Sequence, residues 1–467
     1  MTASGCPSAG LLPFYLKLYD EVLPECRAGF DGFLEQTVAA LEARGIAVTR
    51  APVCCTAAEF GAAVARLEQA GADCIVTLHL AYALSLEAIE AFCRTRLPVV
   101  ILDVTMDADF GRGASPERIL YNHGVHGVMD FACMLRRRRR AFEIVAGHAD
   151  DTRVLDRAAG LVRAAHAARR MAAARVLRVG PAFEGMGDFA VREDVLAALG
   201  VRADEIGIAA LDRAVQEVGE AAVAQEIARD RERFACELAE DVHARSVRVG
   251  LGLRRLIDEG GYDAHSVNFR LFDRGDRPAH TMPFLEISKA MGRGIGYAGE
   301  GDVLTAALVG ALARAFGAVT FTEIFCPDWA GNSLFLSHMG EISPAVAAGK
   351  PRVIEKPFRF GGGLNPAVLT CAVQPGPAVF VNLAPGPVDS FTLIAAPVEV
   401  LAEDDALDPA MRDTVRAWIR PRRDVASFLE AYSRAGGTHH SALVLGDVAE
   451  AVAAFGRFAG VAVEEIR

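Results

Sequence analysis

The stretch Ala367–Leu401, AVLTCAVQPGPAVFVNLAPGPVDSFTLIAAPVEVL, alternates apolar runs of strand length with Pro/Gly turns. Such runs, rich in β-branched residues and joined too tightly to admit helices, indicate an antiparallel sheet or barrel. The same texture begins after about Ala318 with VTFTEIF and SLFLSHMG. Upstream the pattern differs. Amphipathic helical segments (FLEQTVAALEARG, AAEFGAAVARLEQAG) alternate with short apolar runs (DCIVTLHL, LPVVILDV, AFEIVAGH), the βαβ pattern of a parallel sheet covered on both faces. A long Ala/Arg-rich helix, about Asp150 to Ala174, leads into RVLRVG, which opens a second α/β stretch running to about Phe316. In that stretch EAAVAQEIARDRERFACELAEDVHARSVRVGLGLRRLIDEGG reads as helical. The expected architecture is two doubly wound α/β domains, 1–172 and 173–317, followed by a C-terminal antiparallel β-barrel domain, 318–467.

Composition narrows the function. With 467 residues the chain exceeds one hydrophobic core. Its 49 Lys and Arg against 60 Asp and Glu give a net charge of −11, which opposes binding to nucleic acid or an anionic membrane. The first residues, MTASGCPSAG, have no basic and apolar signal pattern, so a cytoplasmic protein is expected. The 10 cysteines form no C-x-x-C pair, which argues for reduced thiols and against structural zinc.

Several motifs carry chemistry. GIGYAG, Gly294–Gly299, matches G-x-G-x-x-G, but the preceding FLEISKAMGR reads as helical, and Glu300 stands where pyrophosphate would need a helix N-terminus. Dinucleotide binding is therefore rejected. The residues read instead as a turn delivering GEGD, Gly299–Asp302, to the helix VLTAALVGALARAF, with Asp302 as its cap and Glu300 free to reach a ligand. In VTFTEIF, strand alternation sets Glu323 on the face of Phe321 and Phe325, a costly place for a carboxylate without a partner. Cys326 falls on the other face as a core thiol. His338 alternates with Leu334 and Leu336. Two carboxylates and two His-bearing strands near one junction form a hard O/N set suited to Mn²⁺, Co²⁺ or Mg²⁺. In GGTHHSALVLG adjacent strand residues face opposite ways, so only one of His439 and His440 is expected to ligate the ion. The run Arg136–Arg140 reads as a solvated helix end.

Taken in order, GLLPFYLKLYDE, LHLAYA, YNHGVHGVMDF, EIVAGH, RVGPAFEGMGDF, GYAGEGD, TFTEIFCPDWAGNSLFLSHMGE and GGTHHSALV resemble the L-fucose/L-arabinose isomerase family as a divergent member. The resemblance implies three domains, a Mn²⁺-type site between the second and third, and Glu300, Glu323, His338 and His440 as metal ligands. It leaves His439 to face the substrate. It further implies a homo-oligomer, trimer or hexamer, whose sites are shared between subunits. N-domain substrate groups would be Lys17 in FYLKLYDE, His79 at the end of CIVTLHL and His126 in NHGVHG, where a parallel sheet presents ligand-binding residues.

The chemistry implied is aldose–ketose isomerisation of an open-chain monosaccharide, deoxy or otherwise modified sugars included. A divalent ion would stabilise a cis-enediolate, Glu300 and Glu323 would act as acid and base, and His439 and His126 would hold hydroxyls. A metal-dependent epimerase, an aldolase-type lyase and a non-catalytic sugar-binding protein are the alternatives.

Overall fold

The computed structural model describes residues 5–150, 152–403 and 409–467. The chain divides into two compact units, Met1–Arg169 and Arg170–Arg467. In the first, strands β1 (Ser8–Phe14), β2 (Ala47–Arg50), β3 (Cys74–His79), β4 (Val99–Thr105) and β5 (Glu143–His148) form a parallel sheet in the order β2-β1-β3-β4-β5. The winding direction reverses between β1 and β3, the point at which a doubly wound sheet leaves a crevice beyond its carboxyl ends. β3 and the core of β4 are buried on both faces, which is why they read as unbroken apolar runs rather than alternating ones.

The second unit opens with a parallel sheet of β6 (Arg175–Val179) and β7 (Arg202–Ile206), continued after a short separate strand, β8 (Ala235–Glu237), by β9 (Ala264–Val267) and β10 (Gly296–Gly299). Its order is β10-β9-β6-β7. β8 corrects the sequence reading: FACE interrupts what looked like continuous helix, leaving helices Glu220–Arg233 and Glu240–Gly260. β11 (Val319–Asp328) and β12 (Ser333–Ser337) follow. β13 (Arg352–Glu355) and β14 (Ala367–Thr370) join β8 in a small sheet. β15 (Gly376–Pro385), β16 (Phe391–Val400), β17 (Ala417–Pro421) and β18 (His440–Leu445) complete the barrel, and β19 (Ala462–Glu465) lies parallel to β16 outside it. The ring β15-β18-β11-β12-β17-β16 closes through the β15–β16 pair, all antiparallel, so the expected barrel is present without a free edge.

Within the second compact unit the parallel sheet and the barrel pack against the helix Val303–Phe316. That helix is apolar on every side and nearly all of its residues are buried, as a helix touching β9 and β10 on one flank and β11 and β18 on the other must be. GIGYAG supplies the close approach. Its last four residues are β10 itself rather than a turn, and a Cβ on Gly296 would lie 2.0 Å from the Ala306 carbonyl oxygen of the helix. At Gly296 the missing side chain permits that helix–strand packing.

Two further expectations change. Arg140 is not a solvated end of the arginine run: it is half-buried and donates to the Phe92 carbonyl at 3.1 Å. Cys326 is exposed instead of buried, because the β11–β12 register shifts between Ile324 and Cys326 and the bulge ends the alternation.

A buried ionic network braces the helices of the second unit. Lys289, 2% exposed, donates to Glu226 at 2.7 Å and Asp230 at 2.9 Å. Arg254 bridges Glu226 at 2.6 Å and Glu286 at 2.9 Å, and His243 Nε2 lies 3.2 Å from Asp230. Burial alone would raise the Glu226 pKa, but Arg254 and Lys289 hold it far below the ordinary carboxylate range. A carboxyl with a depressed folded pKa stabilises the fold above its unfolded pKa of about 4.3, and that contribution is lost as pH falls. Thermal unfolding from pH 7 to pH 3 should therefore show a falling midpoint whose slope is reduced in Glu226→Gln. Lys289→Met, which leaves two carboxylates under-compensated, should cost about 3–5 kcal/mol at pH 7 in chemical denaturation.

Candidate metal centre and active site

Four side chains converge where the carboxyl ends of β6, β9 and β10 meet the barrel strands β11, β12 and β18. Glu300 follows β10 and starts the turn into the helix Val303–Phe316. It occupies the left-handed region, φ +64°, a conformation costly for any residue but glycine and commonest where a site requires it. Glu323 lies on β11 directly across from His440, the first residue of β18, and from Ser337, the last of β12. His338 continues β12 by one residue. The barrel ladder thus sets the spacing of Glu323, His338 and His440.

Glu323 Oε1 is 2.9 Å from His338 Nε2 and 3.1 Å from His440 Nε2. Glu300 Oε2 is 3.6 Å from Nε2 of both His439 and His440. Two overlapping triads, Glu300/His439/His440 and Glu323/His338/His440, have ligand atoms close enough to hold an ion. Alternation along a strand predicts opposite directions for the two histidines. It does not apply, because β18 begins at His440 and His439 belongs to the preceding turn; their rings lie 4.3 Å apart. His440 is fully buried, whereas the His439 side chain is 38% exposed.

Each histidine is oriented from behind by a carboxylate. His338 Nδ1 donates to Glu341, a wholly buried residue whose other oxygen accepts from the Gly340 amide at 2.7 Å. His440 Nδ1 donates to Asp302 Oδ2 at 2.9 Å, and His439 Nδ1 donates to Asp188 at 2.6 Å. Phe189 stacks flat on the His440 ring at 4.9 Å. A carboxylate on Nδ1 fixes the ring and leaves Nε2 to a ligand, the usual arrangement behind metal-binding histidines. Asp302 does cap the helix, accepting from the Thr305 amide at 2.9 Å, but its second oxygen serves the site. Sequence reading gave it only the first role, and gave Asp188 and Glu341 none. The signal for Glu341 lay in its place three residues after His338, inside SHMGE.

The carboxylates and imidazoles at this centre set one another's charge. Burial opposes charge on His338, yet Glu341 and Glu323 raise its pKa to about 10. Burial likewise opposes charge on His439, and Glu300 and Asp188 raise it to about 9. Asp302 and Glu323 raise His440 against its burial. Burial would push Glu323 up, but His338 and His440 hold it well below the carboxylate range. Glu300 Oε2 is buried without a hydrogen-bond partner, and His440 Nε2, equally buried, has Glu323 Oε1 at 3.1 Å as its nearest polar contact. An orphaned carboxylate oxygen beside imidazoles that otherwise need protons to balance them suits a divalent ion with O and N ligands.

The first unit places the remaining expected residues at its sheet's carboxyl edge. Lys17 opens the helix Lys17–Val22 after β1, and His126 lies in the first turn of the helix Gly124–Arg137; both are exposed. Nearby, Tyr19 Oη and His123 Nε2 are 3.0 Å apart. His79 departs from the expectation of an accessible group at the end of β3. It is 3% exposed, its ring is 4.3 Å from Phe14 and 5.8 Å from Phe131, and neither nitrogen has a partner. Burial lowers its pKa to about 3, so it serves as a neutral core residue. The cause is Gly124, where the helix approaches so closely that a Cβ would lie 2.2 Å from the His79 carbonyl oxygen.

Comparison with known proteins gives the family. Residues 172–316 match the L-arabinose isomerase central domain and residues 318–462 the L-arabinose isomerase C-terminal domain. The L-arabinose isomerase of Herpetosiphon aurantiacus is 30% identical over 362 residues, 73% of this chain and 69% of that protein. That of a Nocardioides species is 32% identical over 339 residues, 69% of this chain and 66% of that protein, so the match spans about two thirds of these relatives. A solute-binding protein of Agrobacterium vitis bound with α-D-tagatopyranose is 13% identical, with a TM-score of 0.17 over 66% of this chain and 89% of that one, a likeness too slight to carry weight. Of the two isomerase names joined in the sequence resemblance, the matched domains and relatives bear the second: the chain belongs to the L-arabinose isomerase family.

Proposed function

We propose that this protein is a divalent-metal-dependent aldose–ketose isomerase acting on an open-chain monosaccharide. The observation that carries the reading is the convergence of Glu300, Glu323, His338 and His440, with Glu300 Oε2 buried and unpartnered. These four would hold Mn²⁺, Co²⁺ or Mg²⁺, which when bound supplies Lewis acidity toward the sugar carbonyl. Asp302 and Glu341 keep the imidazoles of His440 and His338 turned toward the centre. His439, partly exposed and braced by Asp188, presents Nε2 to a substrate hydroxyl.

Isomerisation moves a proton between C1 and C2. Glu300 Oε2 and Glu323 Oε1 are the two carboxylate atoms at the centre that can take and return it, as a base and acid pair worth roughly 10²–10⁴-fold in rate. Exposed Lys17 and His126 are the first-unit groups that a neighbouring copy can reach, and the proposal includes a homo-oligomer, trimer or hexamer, with shared sites.

Three outcomes test this. Mn²⁺ affinity measured by equilibrium dialysis should collapse in Glu323→Ala, His338→Ala and His440→Ala. It should fall about 10–100-fold in Glu341→Gln and in Asp302→Asn, a change that keeps the helix cap while altering the His440 partner, and hold in His439→Ala. Unchanged affinity in the Asp302 and Glu341 variants would remove their positioning role. In D₂O, ketose-to-aldose turnover should place deuterium at C2 of the aldose, whereas complete absence of label would point to hydride transfer. Finally, His126→Ala and His338→Ala proteins, each nearly inactive, should regain activity when dissociated and reassembled together; mixed oligomers that stay inactive count against shared sites.

A further inference from the structure

Strand β15 reads GPAVFVNLAP, and its asparagine, Asn382, is fully buried in a run with no other polar side chain. A buried carboxamide is costly unless its bonds are made. Asn382 directs both ends of its carboxamide at the turn that carries the two adjacent histidines. Its Nδ2 donates to the His440 carbonyl at 2.6 Å and to Thr438 Oγ1 at 2.6 Å, and its Oδ1 accepts from the Thr438 amide at 3.2 Å. These partners fix the orientation of the group, because a carbonyl and an amide N–H require opposite ends of it. The turn is held from a second side as well: Thr438 Oγ1 donates to the His440 carbonyl at 3.0 Å, and Tyr432 Oη donates to the Thr438 carbonyl at 2.6 Å.

The bonds from Asn382 stand where a strand ladder would otherwise continue. β15 pairs with β18 from Ala378 with Leu445 to Val381 with Ala442, and the pairing stops there. The next residue of β15 is Asn382, whose side chain bonds the backbone of the turn in place of further rungs. A ladder carried on past this point would extend β18 backward over His439, and alternation would send the two imidazoles to opposite faces. With the ladder halted the chain turns at Thr438 and His439. Both imidazoles then stay on one side, with ring centroids 4.3 Å apart and each Nε2 at 3.6 Å from Glu300 Oε2.

We propose that Asn382 is a positioning residue of the centre: by ending the β15–β18 ladder it sets the one-residue boundary that keeps His439 beside His440. The proposal rests on the isomerase reading above, which makes His440 a metal ligand and His439 a substrate contact. Asn382 acts through the backbone of the turn, whereas the imidazole Nδ1 atoms are held by Asp302 and Asp188. Backbone and ring are thus fixed by separate groups.

Four variants test the assignment. Asn382→Ala removes the carboxamide. Thr438→Val removes the hydroxyl that joins Asn382 to the His440 carbonyl, and it keeps the test open where Asn382→Ala does not fold. Thr438→Ser retains that hydroxyl, and Val379→Ala, a core change in the same strand, is the control for lost stability alone. In metal-free protein, amide exchange of the segment 436–441, followed by mass spectrometry, should be about tenfold or more faster in Asn382→Ala and Thr438→Val than in wild type, and close to wild type in Thr438→Ser. Mn²⁺ affinity by equilibrium dialysis should fall about tenfold in the first two variants and hold in Thr438→Ser and Val379→Ala. Unaltered exchange in the folded variants, faster exchange with unaltered Mn²⁺ affinity, or an equal loss of affinity in Val379→Ala overturns the positioning role. A wild type that binds no Mn²⁺ overturns the isomerase reading instead, and the boundary set by Asn382 then stands or falls on the exchange rates alone.

Discussion

The Asp302 carboxylate is bonded at both oxygens, in two directions. One accepts from the Thr305 amide at the start of the buried helix Val303–Phe316, and the other accepts from His440 Nδ1 at the start of β18. A single side chain with no exposed surface thereby ties the helix that packs against the parallel sheet to the barrel strand that carries the His440 imidazole. If the helix start moves, His440 rotates. If β18 moves, the cap is broken and the first turn of the helix loses its amide partner. Glu300 depends on the same anchor, because the left-handed turn that aims its carboxylate is the connection between β10 and that helix.

Electrostatics divides the second unit into two regions of buried charge with different completion. Around Lys289 the charges are balanced internally: Glu226, Asp230 and Glu286 meet Lys289, Arg254 and Arg293, and the network stabilises without any added ion. At the candidate metal centre the acidic groups Glu300, Asp302, Glu323 and Glu341 pair with His338, His439 and His440, whose positive charge is conditional on protonation. The first region is closed. The second is complete only with a proton or a metal ion, and that distinguishes a binding centre from a structural salt-bridge cluster of similar burial.

Much of this was legible in the sequence where local chemistry decides the outcome. Runs of strand length joined by Pro/Gly turns are incompatible with helix, so the barrel followed from them. A carboxylate at Glu323 between two phenylalanines, and a glutamate flanked by glycines at Glu300, are expensive unless used, and both stand at the centre. What escaped depended on where elements end. The two histidines of THH converge because β18 starts at the second of them, and a one-residue boundary decides that. His79 looked accessible at a strand end until Gly124 brought a helix down on it. Asp188, far from His439 in the chain, reaches it only through the loop that follows β6, a long-range contact with no local pattern to announce it.

The closed barrel has a mechanical consequence for the centre it carries. Glu323 is laddered to His440 on one side and to Ser337, the neighbour of His338, on the other. Distances between these ligands therefore come in steps of whole residues. Slipping β18 by one position against β11 would point a serine at the centre in place of His440, and an open sheet could tolerate such slippage at its edge. In a ring of six strands no member can slip alone, since every displacement must be matched around the whole circumference. The loops between the strands bear none of that burden. The segment carrying Phe358 and Phe360, which joins β13 and β14 of the small separate sheet, lies outside that ring, and the gauge of the centre does not depend on it.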